Sequence, residues 1–307
     1  MKLNKLLVSV AMILSLVACN GNNADDTPVG NLREVSLEPG DIYAIISIMD
    51  YGDISVKLFP DVAPVAVEKF AALAGRGFYE RKTIHRVLSD SFIQGGSLNG
   101  DGTDGNIDSF AFFDTEPSDY AKNFYGALCF APNREGQNFS QFYIINNNQP
   151  VNIDGDIQIL EEQLNDKTKI FSEEVRERYE GNLALLKSIP EDVKARYLDK
   201  GGLYSLDGSN TVFGQIVSGY DVLEAISNTQ VVSGNYIDDS REIFSKPANT
   251  IIIEKVEIIR IPLPEPTTIP EETRVTRART QRTQRETTPE TRPEEAFTAV
   301  VPIGSSG

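Results

Sequence analysis

Tryptophan is absent from this 307-residue chain, histidine occurs once, and there are two cysteines and three methionines. Basic side chains are also scarce: 29 Lys and Arg stand against 45 Asp and Glu, a formal net charge of -16. Nucleic-acid affinity comes largely from clustered Lys and Arg, so a chain this acidic is not expected to bind nucleic acid. Two cysteines, Cys19 and Cys129, do not make a disulfide framework, and no structural disulfide is expected. The apolar run near the N-terminus is too short for a comfortable membrane span. What remains is ample for one sizeable folded domain, since 40% of the residues are hydrophobic.

The first residues, MKLNKLLVSVAMILSLVAC, combine a basic start, a short apolar run and small residues before a cysteine, the layout of an export signal. Leu16-Val17-Ala18-Cys19 resembles a bacterial lipobox, which implies loss of residues 1–18 and a lipid on Cys19. On that reading the mature protein is extracytoplasmic and lipid-anchored to a bacterial membrane. Residues 19–40 are small, polar and acidic without periodicity, and are expected to form a disordered tether. Residues 262–307 are rich in Thr, Arg, Glu and Pro with nearly balanced charge, and read as a disordered tail.

Between these ends, residues 41–261 carry regular patterns. Ile42–Met49 and Ile54–Phe59 flank a tight turn and predict a hairpin. Val67, Phe70, Ala71 and Ala74 recur at helical spacing after Pro64, predicting a helix with one apolar stripe. Asp221–Ser227 predicts a second helix, between strands at Thr211–Val217 and Thr250–Ile259. Helical spacing over Ser172–Ser188 and Pro190–Lys200, with a short turn at Glu161–Asp166, marks a helical segment at about 150–204. The acidic stretches around Ser97–Asp108 and Asn152–Asp156 only partly fit the spacing of a calcium loop, and no metal site or cofactor is expected.

The stretch TIHRVLSDSFIQGGS (Thr83–Ser97) holds the single histidine, His85, and reads as strand, turn and strand with a double-glycine exit. Alternation then lets Arg86 and Gln94 share a face with Phe92 nearby. A guanidinium beside an amide over an apolar floor suits a polar, uncharged group and is a poor general base. With GALCFAPNREGQNFSQFYI (Gly126–Ile144), LDG…TVFG (Leu206–Gly214), and the flanking runs GDISVKLFPDVAPVAVEKFAALAGRGFY and GQIVSGYDVLEAI, the chain resembles the cyclophilin family of peptidyl-prolyl cis/trans isomerases over about Tyr43–Ile259.

The resemblance implies a mainly β fold: a closed antiparallel eight-stranded barrel capped by two helices, here with a helical insertion at about 150–204. It implies an enzyme without cofactor or metal, acting as a monomer on proline-containing peptides and unfolded exported proteins. By motif position Arg86 matches the catalytic arginine and Gln94 the glutamine that holds it. Phe92, Ala131, Gln141, Phe142, Tyr143 and Leu206 match substrate-binding positions. Four positions depart from the pattern: Ser91 replaces a pocket phenylalanine, Pro132 an asparagine, Ser205 a tryptophan and Asn210 a histidine. The wider pocket leaves two alternatives to the isomerase: a proline-peptide-binding chaperone or adaptor with little turnover, and a lipoprotein whose insertion and tail do the work.

Overall fold

The computed structural model describes residues 30–104, 111–238 and 241–264. The export signal, Cys19, Asp108 and the tail from 265 onward lie outside the described residues. In chain order the elements are β1 (Ile42–Ile48), β2 (Gly52–Leu58), α1 (Pro64–Gly75), β3 (Thr83–Leu88), β4 (Phe92–Gly95), β5 (Phe113–Asp114), β6 (Ala127–Phe130), β7 (Gln137–Asn138) and β8 (Phe142–Ile145). There follow α2 (Ile153–Asn165), α3 (Glu173–Ser188), α4 (Glu191–Lys200), β9 (Val212–Ser218), α5 (Tyr220–Ser227), β10 (Val231–Asp238), β11 (Arg241–Pro247) and β12 (Ile251–Arg260).

Eight strands close a barrel in the order β1-β12-β3-β4-β8-β6-β9-β2, and every pairing is antiparallel. Closure leaves the barrel itself without an open sheet edge. The barrel interior is one apolar cluster in which Phe70 of α1 meets the rings of Tyr79, Phe130, Phe142 and Phe213 at centroid distances of 5.1–6.4 Å. Pro64 sits at the first turn of α1, where its missing N–H costs nothing, and Phe70 and Val67 lie on the buried stripe that stoppers the barrel. Val222, Leu223 and Ile226 of α5 do the same for the second cap. After β4 the chain turns at Gly96, whose φ of 78° and proximity to the Ser140 carbonyl leave no room for a side chain.

Three expectations need correction. The tether does not run unbroken to Gly40, because residues 30–40 pack onto the barrel. Asn31 is fully buried, its amide donating to the Lys122 carbonyl at 2.8 Å and to Gln215 Oε1 at 3.0 Å while its oxygen accepts from Lys122 N at 2.8 Å. Leu32 and Val35 fill apolar gaps, and Gly40 N donates to Ile261 O at 2.9 Å. A short polar segment with partners far along the chain has no local signature. Secondly, Glu161–Asp166 is not an isolated turn: all but its last residue belong to the 13-residue helix α2, and Asp166 caps its C-terminus. Asn152 caps α2 by accepting from Gly155 N, and Asp154 and Asp156 complement its N-terminal dipole, which explains that acidic stretch without an ion. Finally, the β10–β11 hairpin fills a region, 228–249, for which the sequence predicts no element.

The insertion is clasped to the barrel by a separate cluster: Phe124, Ile153, Leu186, Val193 and Tyr197. Tyr197 of α4 is fully buried with its ring 4.5 Å from that of Phe124.

Candidate active site

The site forms on the outside of the barrel, where cross-strand register lines up side chains from four strands. Arg86 of β3 faces Gln94 of β4, Gln94 faces Tyr143 of β8, and Tyr143 faces Cys129 of β6. Residues directly opposite in adjacent strands share a face, so guanidinium, amide, phenol and thiol form one row. A bulge in β3 helps aim it. Ile84 and Val87 both point into the core, three residues apart, which period-2 alternation forbids unless one residue is extra. The register shifts between Ile84 and Arg86, so His85 is the extra residue and Arg86 emerges on the outer face.

Arg86 Nη1 donates to Gln94 Oε1 across a long 3.4 Å, and its guanidinium carbon stands 5.1 Å from the centre of the Phe92 ring. Gln94 Nε2 donates to Gln141 Oε1 at 2.9 Å, and Gln141 Nε2 donates to Asp104 Oδ2 at 2.6 Å and to the Gly102 carbonyl at 3.3 Å. The carboxylate at the end of this chain fixes both amides. Gln141 must turn its NH2 toward Asp104, which leaves its oxygen for Gln94 and the Gln94 oxygen for Arg86. Asp104 also accepts from Leu98 N at 2.9 Å, and Ser97 Oγ accepts from Gly102 N, so the glycine- and aspartate-rich loop is held by its own side chains.

The apolar floor is Phe92 and Tyr143, with ring centres 5.3 Å apart, flanked by half-buried Ala131 and Leu206. Tyr143 is 4% exposed; its hydroxyl donates to Asn123 Oδ1 at 3.2 Å and accepts from Asn210 Nδ2 at 2.9 Å. Burial holds this phenol well above its ordinary pKa and likewise pushes the Cys129 thiol up, so both are neutral and neither is a nucleophile. Burial also lowers His85 from 6.5 to about 4, so its imidazole is neutral at neutral pH.

Arg86, Gln94, Phe92, Ala131, Gln141, Tyr143 and Leu206 therefore gather on one surface. Phe142 does not. It is fully buried inside the barrel, its ring 5.9 Å from that of Phe70 and 5.6 Å from that of Tyr79, so its assignment to the substrate surface is corrected. The reason is alternation: with Gln141 and Tyr143 facing out, the residue between them must face in. Asn123, buried beneath this surface, and Asp104, at its edge, are polar groups of the site for which the sequence offers no signal short of the fold.

Residues 43–258 match the family described as "Cyclophilin type peptidyl-prolyl cis-trans isomerase/CLD". The chain belongs to this family. A Staphylococcus saprophyticus protein named "Putative peptidyl-prolyl cis-trans isomerase" is 34% identical over 220 residues, covering 72% of this chain and 93% of the relative. One of the same name from Staphylococcus haemolyticus is 32% identical over 207 residues, covering 67% and 86%. Among solved structures, a cyclophilin type isomerase of Cryptosporidium parvum aligns with 71% of this chain and 98% of its own, at 22% identity and a TM-score of 0.46.

In this cyclophilin the departures have definite surroundings. Asn210, at the usual histidine position, clamps the Tyr143 hydroxyl. Ser91 is anchored by its backbone, its N–H donating to Asn146 Oδ1 at 2.7 Å and its carbonyl accepting from Asn146 N at 3.0 Å. Ser205, where the tryptophan would stand, is exposed and borders a cavity of about 650 Å³ beneath the insertion, lined also by Leu160, Leu186 and Val193.

Proposed function

We propose that this cyclophilin isomerises X-Pro bonds in exported polypeptides, with Arg86 as the group that stabilises the twisted amide. The observation that carries this reading is the Arg86–Gln94 pair over the Phe92–Tyr143 floor. Rotation about an X-Pro bond is slow because the twisted state loses amide resonance, a barrier of about 20 kcal/mol. In that state the proline nitrogen becomes pyramidal and gains a lone pair. A donor aimed there binds the transition state more tightly than the planar ground state, which is what raises kcat. Gln94 holds the guanidinium and also offers its amide to the substrate backbone, while the aromatic floor receives the proline ring.

Isomerisation of a short proline peptide should run well above background with the wild-type protein. Arg86→Ala should lose about 10²- to 10³-fold in kcat/KM, the usual cost of removing one charge-stabilising donor, with no change in thermal midpoint. Equal rates for the two proteins would remove Arg86 from the mechanism. The widened walls at Ser91 and Ser205 favour a second reading, a proline-peptide-binding chaperone or adaptor; it predicts peptide binding without acceleration.

The lipobox-like Leu16–Cys19 supports export and anchoring through a lipid on Cys19, with unfolded exported proteins as clients. In cells fed labelled palmitate, the wild-type protein should carry label in the membrane fraction and Cys19→Ala should not. Label surviving that substitution would refute this anchoring.

A further inference from the structure

A chain of buried and partly buried hydrogen bonds runs from the floor of the proline pocket into the insertion. Tyr143 Oη donates to Asn123 Oδ1 at 3.2 Å, and Asn123 gives its backbone N–H at 2.9 Å and its Nδ2 at 2.8 Å to Asp207 Oδ1. On the other side Tyr197 Oη, from α4, donates to Asp207 Oδ2 at 2.7 Å. Asn123 is 1% exposed and Tyr197 is fully buried, while Asp207 between them is half-buried and borders the cavity beneath the insertion.

The directions of these bonds are forced. Three donors converge on the two Asp207 oxygens, so Asn123 must point its amide nitrogen there and its oxygen at Tyr143. Because Asn210 already donates to the Tyr143 oxygen, the phenol hydrogen has Asn123 Oδ1 as its acceptor. The insertion grips the same backbone a second time: Leu203 N donates to Asn123 O at 2.8 Å, and the Tyr197 ring packs on Phe124. Gly202 permits this approach, since a Cβ there would lie 2.4 Å from the Asn123 carbonyl oxygen.

We infer that Asp207 and Asn123 are positioning residues, and that the inserted helix α4, through Tyr197, sets the placement of Tyr143 and thereby how tightly the proline ring is held. This rests on reading the outer surface as the isomerase site. It gives the insertion a role in substrate affinity without any contact with the substrate.

The test uses the full chain with Tyr197→Phe, Asp207→Ala and Asp207→Asn, and Leu186→Ala in α3 as a control for loosening the insertion. Three quantities are read: KM and kcat for a proline peptide, and the ¹⁹F resonance of fluorotyrosine at position 143, assigned by its loss in Tyr143→Phe. Tyr197→Phe and Asp207→Ala should raise KM roughly threefold to tenfold, the worth of one hydrogen bond. They should leave kcat nearly unchanged and should shift the resonance. Asp207→Asn, which keeps an acceptor for Asn123, should restore much of the affinity. Leu186→Ala should lower the thermal midpoint without moving KM or the resonance. If Tyr197→Phe and Asp207→Ala behave like Leu186→Ala, the inference is overturned. Should Asp207→Ala fail to fold, Tyr197→Phe removes a single oxygen and decides alone. If the wild-type protein does not isomerise proline peptides, the isomerase reading fails, and the resonance still decides whether α4 sets Tyr143.

Discussion

The barrel and the inserted helices are held by different means. Inside the barrel, side chains from the strands and α1 meet in one continuous apolar cluster whose aromatic rings pack edge to face, tilted or, for Phe130 and Phe213, stacked. The insertion rests on much less: of the sixteen residues of α3 only Leu186 is buried, and α2 buries only Ile153. Its attachment includes the Tyr197–Phe124 contact, hydrogen bonds around Asp207 and Asn123, and the Arg196 guanidinium, which lies over the Phe124 ring and donates to the Arg33 carbonyl. Apolar packing is non-directional and grows with area, so the barrel supplies stability. Buried hydrogen bonds contribute little net energy but are costly to leave unmade, so the insertion specifies geometry.

The sharpest way to break this comparison is on β8, where neighbours belong to opposite sides. Phe142→Ala should cost about 3–5 kcal/mol, read as a drop in the denaturant midpoint. Gln141→Ala should leave the midpoint in place and lower kcat/KM about tenfold by freeing Gln94, equivalent to a little over 1 kcal/mol. A reversed pattern would mean that the faces have been misassigned.

Next in size is a pH effect at His85. The unfolded chain protonates this imidazole near 6.5, whereas the folded chain does not until about 4. The unfolded state therefore binds the proton first, and stability falls as pH drops through that window, by up to about 1.4 kcal/mol per unit. His85→Gln should flatten that part of the stability profile relative to wild type; an unchanged slope would assign it to other groups.

Within the insertion, Leu186→Ala should cost about 2 kcal/mol, seen in hydrogen exchange as faster opening of α2–α4 while the barrel amides stay protected. Uniform loss of protection would show that the two regions unfold as one. The smallest effect is expected next door, at Leu185, which is 65% exposed: Leu185→Ala should change stability by less than about 0.5 kcal/mol.

Much of this was legible beforehand. Arg86 and Gln94 share a face because alternation and a short turn put them there, and the barrel follows from five motifs in their expected order. Phe142 matches a substrate-binding position by motif, but the two-residue period set by Gln141 and Tyr143 turns it inward. The bulge at His85 was hidden because an extra residue in a strand shows only in the partner's register. Asn31, Asn123 and Asp207 carry no local pattern; each matters through a partner on another element.

By itself, then, the amino-acid sequence determined many of the elements, because periodicity, caps and turn residues act over a few neighbouring positions, while its resemblance to the cyclophilin family implied the barrel and most of the outer surface that carries Arg86. Tertiary structure alone decided that residues 30–40 are part of the fold, that Phe142 is core, and that α4 reaches the Tyr143 hydroxyl through Asp207 and Asn123. Those contacts join residues far apart in the chain, and a hydrogen bond's worth depends on burial and direction, which only the folded arrangement supplies.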